Sequence, residues 1–127
     1  LPFTQFFSYL LDIEIPEDFV NLTKAAPPIL IAIVFIIGAP IVEELLFRGF
    51  LFSNLKHSAL GINGSIILTT ILWTSIHLQY DFSLLISLFF LGLLLGYIRH
   101  KYNSVYLAIV IHAIHNLLAL INILFFI

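Results

Sequence analysis

Of the 127 residues only 9% are Asp, Glu, Lys or Arg, while 61% are hydrophobic and 13 are Phe; soluble domains carry roughly 25% charged residues. One small core cannot hide that much apolar surface from water, so an ordinary soluble globule is excluded and lipid is the expected solvent. Five Lys or Arg at a net charge of −2 leave no electrostatic footprint for nucleic acid, and the absence of Cys excludes disulfides, thiolate metal sites and thiol nucleophiles.

From the N-terminus, Phe3, Phe6, Phe7, Leu10 and Leu11 recur at helical spacing, the pattern of a short amphipathic segment lying in the membrane interface. Pro16 followed by Glu17 and Asp18 marks the start of another short helix. Residues 1–27 are therefore expected to form an interfacial or connecting segment, and residues 28–127 a four-helix core. With no Met in it, the chain is expected to be a piece of a longer protein.

The first span runs over residues 28–55, opened by Pro27 and Pro28 at positions that tolerate a missing N–H. It is apolar through Val42 and then carries Glu43, Glu44 and Arg48. Pro40 is expected to bend it and to free the carbonyl of Ile36. Residues 58–80, 82–98 and 102–127 hold no Asp, Glu, Lys or Arg, and supply three further spans. In the third, Gly92 and Gly96 form a G-x-x-x-G pattern that lets backbones approach closely, a packing feature without chemistry. The expected fold is thus all-α, a polytopic bundle of four transmembrane helices. Alternate crossings put Lys56 and Arg99 on one side, which the positive-inside rule makes cytoplasmic.

Ionisable groups at mid-membrane cost about 2.5–3.5 kcal/mol each on insertion scales, so each needs a reason. Arg48 follows Glu44 by four residues, the favoured order for an ion pair along one helix, and that pair reads as a structural strut. Glu43 is turned about 100° from Glu44 and has no such local partner, which makes it the candidate general base. His112 and Asn116, four apart, share a face and can offer two donors to one small target, with His115 turned to the side. Counted at about 1.5 Å per residue, Glu43, His77, His112 and Asn116 all fall roughly 14–21 Å below the cytoplasmic helix ends.

A base, a His from a second helix and two donors from a third meet the demands of acyl hydrolysis by water. In that scheme Glu43 takes the proton from a water also held by His77, and His112 and Asn116 stabilise the oxyanion. No cofactor is required. The competing scheme adds Zn²⁺, with Glu43, His77 and His112 as ligands.

The stretch Glu43-Glu44-Leu45-Leu46-Phe47-Arg48 resembles an E-E-x-x-x-R signature, residues 73–77 an F-x-x-x-H motif, and residues 112–116 an H-x-x-x-N motif. Together and in this order, they resemble the type II CAAX prenyl endopeptidase and bacteriocin-processing family, also called Abi or CPBP, of intramembrane proteases. The resemblance implies an all-helical membrane fold and hydrolysis of peptide bonds near the membrane. Its implied substrates are prenylated C-termini or leader peptides. It carries catalytic roles onto Glu43, His77, His112 and Asn116 and the accompanying pair onto Glu44 and Arg48. Trp73 stands where the family pattern has Phe, and the larger indole is expected to narrow the substrate cavity; Trp73 and His115 are candidates for supporting the catalytic groups. Two other functions use the same residues: a non-catalytic scaffold or self-immunity protein locked by the polar cluster, and a proton or small-solute conduit. Expected partners are a peptide or lipidated protein substrate and membrane lipid; the oligomeric state is not written in the sequence.

Overall fold

The computed structural model describes residues 16–126, and all regular structure among them is helical. The amphipathic segment expected over Phe3 to Leu11 lies outside the described residues. The first helix, α1 (Glu17–Ala25), starts at Pro16, whose carbonyl accepts from the N–H groups of Phe19 and Val20. Glu17 and Asp18 sit in its first turn, where the helix dipole favours acids. Phe19 packs edge-on against Phe35 at 4.8 Å and so lays α1 across the next helix.

That next helix, α2 (Pro28–Leu55), is continuous, but its hydrogen-bond register changes along its length. Two stretches, Ala32–Gly38 and Leu45–Leu51, are π-helical, with bonds reaching back five residues rather than four. The first carries the chain into Pro40. Ala39 N–H bonds Val34, so in the same register the acceptor facing Pro40, which has no N–H, is Phe35. The carbonyl set free is therefore that of Phe35, one residue earlier than the Ile36 expected from α-helical spacing. At the end of the second stretch Phe52 N–H bonds Phe47, and the next carbonyl, of Arg48, accepts from Arg99 Nε at 3.0 Å.

After α2, Gly61 adopts φ +63°, a left-handed conformation open to Gly at little cost, and α3 (Gly61–Ser75) begins. Asp81 caps α4 (Phe82–Tyr102) by accepting from Ser83 and Leu84 N–H. Arg99, His100 and Lys101 lie in its last turn, and Asn103 at φ 47° ends it. The last helix, α5, spans Val105–Phe126.

Three of these helices, α2, α4 and α5, are long and apolar enough to cross a membrane. The helix expected to cross over residues 58–80 is shorter than that stretch and is not among the three: α3 has 15 residues and gives way at Ile76 to a turn holding His77 and Tyr80. At about 1.5 Å per residue that is roughly 22 Å against a hydrocarbon core of roughly 30 Å. An unbroken run of uncharged residues reports hydropathy, not helix length. The same distinction explains why α4 runs one turn past Arg99.

The packing is inverted relative to a soluble protein. Ile33, Ile37, Val42, Phe50, Phe90 and Phe125 point outward, while Glu44, Arg48, Ser65, Thr69 and Thr70 are fully buried. Small residues make that possible. A Cβ on Gly92 would lie 2.7 Å from Thr70 Cγ2, and one on Gly96 would lie 2.9 Å from Ile66 Cγ2, so the two glycines are the contact line of α4 on α3.

Candidate active site

The buried ion pair organises the site. Arg48 Nη1 donates to Glu44 Oε1 at 2.9 Å, and its Nη2 reaches across to the Gly92 carbonyl at 3.1 Å. The close approach of α4 at Gly92 is what brings that carbonyl within reach. His112 of α5 completes the cluster, with Nδ1 2.8 Å from the same Glu44 oxygen. Glu44 thus ties α2 to α5, and Arg48 ties α2 to α4.

With Nδ1–H donated to Glu44, the His112 ring is held in one orientation and presents Nε2 to Glu43, 3.9 Å from Oε2. Glu43 is turned to the other side of α2 and is partly open, its side chain 20% exposed. Trp73 Nε1 donates to Glu43 Oε2 at 2.6 Å. The indole is fully buried, with the Arg48 guanidinium 4.9 Å from its ring centre and the rings of His77 and His112 at 5.1 and 5.3 Å.

His77 stands in the turn after α3. Its Nδ1 is 2.9 Å from the Trp73 carbonyl, which leaves Nε2 available, and its ring stacks on Tyr80 at 5.7 Å. Asn116 Nδ2 donates to the Phe35 carbonyl at 2.8 Å, and the exposed His115 lies 3.4 Å from Asn116 Oδ1.

Glu43, Trp73, His77, His112, His115 and Asn116 all line one cavity of about 380 Å³. The rest of its wall is mainly apolar, including Phe35, Leu84, Leu88 and Leu120. Glu44 and Arg48 lie behind that wall. Tyr80 and Gln79 also line the cavity, though no motif marks them. Burial first, and then the Glu43 carboxylate, push the Tyr80 phenol above its ordinary range, so it stands in the cavity as a neutral hydroxyl. The carbonyls of Phe35 and Gly92 are further functional groups that a side-chain motif cannot announce.

A zinc ion would need three ligands converging on one point. Among the described residues no three His, Cys, Asp or Glu side chains are so placed, so the residues do not fit the zinc scheme in this arrangement. Two donors are assigned differently from a simple oxyanion pair. Asn116 spends one N–H on Phe35 and keeps a second, and His112 donates from Nε2 only when its ring carries both protons.

A family model described as type II CAAX prenyl endopeptidase Rce1-like matches residues 25–118. No curated protein and no solved structure matches the chain. The matched region starts at the end of α1 and takes in the carboxylate pair, Arg48, Trp73, the three cavity histidines and Asn116. With most of its length and all of these groups inside the match, the chain belongs to the Rce1-like type II CAAX prenyl endopeptidase family, a family of proteases.

Proposed function

We propose that the protein is an intramembrane endopeptidase in which Glu43 activates water, with the Lys56 and Arg99 loops on the cytoplasmic side. The convergence of Glu43, His77, His112 and Asn116 from two helices and a turn on one cavity carries this reading. In the reaction Glu43 takes a proton from a water that His77 Nε2 also holds, and the water oxygen bonds to the peptide carbonyl carbon. The oxyanion accepts from His112 Nε2–H and from the second N–H of Asn116, with Glu44 supporting positive charge on the imidazole. As the C–N bond breaks, Glu43 returns its proton to the leaving nitrogen. The apolar part of the wall suits a hydrophobic or lipidated segment, and a prenylated C-terminal peptide is the substrate class the family points to.

A scaffold reading has one observation in its favour: Glu44, Arg48, His112 and Asn116 all bind between elements of the bundle. Cleavage of a quenched farnesylated peptide by the membrane-embedded protein, with products mapped by mass spectrometry, separates the two. Loss of cleavage in Glu43→Gln at unchanged helix content supports the enzyme. Full activity in that variant would refute Glu43 as base, and loss of folding alone would favour the scaffold. Wild-type cleavage is expected to survive exhaustive chelation.

A further inference from the structure

We infer that Trp73 is a positioning residue for the general base: its indole N–H holds Glu43 Oε2 so that Oε1 is the oxygen turned to the reacting water. The inference rests on the reading of Glu43 as the base, and it concerns the residue that departs from the F-x-x-x-H pattern. A carboxylate has two equivalent oxygens and a soft terminal torsion, so a base without a tether samples many orientations. Here Oε2 is engaged at 2.6 Å by Nε1, whereas no hydrogen bond from another described group reaches Oε1.

The tether is itself immobile. Trp73 is fully buried, pressed between the Arg48 guanidinium on one side and the imidazoles of His77 and His112 on others. The space a Cβ would take at Gly92 comes within 3.2 Å of its Cε3. Its backbone contributes as well, since the Trp73 carbonyl faces His77 Nδ1. One residue therefore sets the orientation of the base through its side chain and of a water-holding imidazole through its main chain. Phe at this position would fill most of the same space and provide the same carbonyl, but it has no donor for the carboxylate. The indole does more than narrow the cavity.

Trp73 is the one tryptophan in the sequence, which gives a readout independent of any substrate. In protein labelled with ¹⁵N-indole and held in lipid nanodiscs, the Trp73 N–H proton is expected downfield and slow to exchange. Glu43→Gln is expected to move it upfield, whereas Glu17→Gln on α1 leaves it in place. On the farnesylated peptide probe, Trp73→Phe is expected to lower kcat about 10- to 100-fold at unchanged KM. Replacing Trp73 with β-(3-benzothienyl)alanine, which keeps the shape and lacks only the N–H, is expected to do the same. An indole proton that ignores Glu43→Gln, or a benzothienyl protein with wild-type kcat, overturns the inference. Failure of the underlying reading looks different, because Glu43→Gln would then still cut the peptide. If the wild-type protein leaves this probe uncut, the indole resonance alone decides.

Discussion

Asn116 supplies to the Phe35 carbonyl the hydrogen bond that Pro40 cannot give. The two residues lie on different helices, yet they act on one acceptor, because the π-helical register places Phe35 five residues before Pro40. Asn116→Ala alone leaves that carbonyl without its partner. In a Pro40→Ala background the restored N–H can take its place, so the loss from Asn116→Ala is expected to shrink by about 1 kcal/mol. Unfolding of the four proteins of this cycle in detergent measures the difference. Strict additivity would show that the two residues do not share the acceptor.

Arg48 is expected to have no adequate substitute. It serves Glu44 and the Gly92 carbonyl at once from inside the bundle, and removing it leaves a buried carboxylate without its cation. Arg48→Ala is expected to cost on the order of 3–5 kcal/mol. Arg48→Lys is expected to recover little, since a single ammonium cannot span both acceptors as the planar fork does. Thermal unfolding of the purified proteins tests this, and a lysine variant as stable as wild type would contradict it.

Gly92→Ala is expected to destabilise the α3–α4 contact by about 1–3 kcal/mol, because the new methyl meets Thr70 Cγ2 at 2.7 Å and the Arg48 and Trp73 side chains at 3.2 Å. Gly96→Ala is expected to strain the same contact, since its methyl would meet Ile66 Cγ2 at 2.9 Å and Cγ1 and Cβ at 3.4 and 3.5 Å on a β-branched side chain with little χ1 freedom in a helix. Thr70→Ser removes the nearest atom and should restore part of the loss in Gly92→Ala. Absence of any such rescue would place the strain elsewhere.

Tyr80 is expected to contribute to a loss of stability at alkaline pH. Burial, and next the Glu43 carboxylate, raise its phenol above the ordinary 10.0, with a hydrogen bond to Gln79 acting the other way. A raised folded value means the folded state prefers the proton. The stabilisation is complete below the unfolded phenol value of about 10 and is lost as pH rises through the higher folded value. Stability measured across that window should fall more steeply for wild type than for Tyr80→Phe, and parallel curves would remove Tyr80 as the cause.

Much of the site is legible in the sequence because mid-membrane polar residues are costly and therefore meaningful. Glu43, Glu44, Arg48, His112 and Asn116 stand out on spacing alone. What spacing misses is traffic between helices. A helical wheel pairs His112 with Asn116 on one face, whereas in the bundle His112 turns to Glu44, and Asn116 to a main-chain carbonyl. The π register is equally hidden, since it changes which carbonyl is orphaned without changing the order of residues. The end of α3 is invisible to hydropathy because Ile76 and Leu78 continue the apolar run past the last helical residue. Trp73 reads as a variant of a motif, and only its distance from Glu43 gives it a role.

The brevity of α3 also bears on the surrounding lipid. Helices α2, α4 and α5 are long and apolar enough to cross a membrane and α3 is shorter, a mismatch that bilayers accommodate by local thinning, snorkelling of flanking residues or helix association, at fractions of a kcal/mol per Å. On the proposed function, thinning beside that turn would bring headgroups down toward His77 and Gln79 and shorten the distance over which a lipid-anchored substrate is drawn before its backbone meets Glu43.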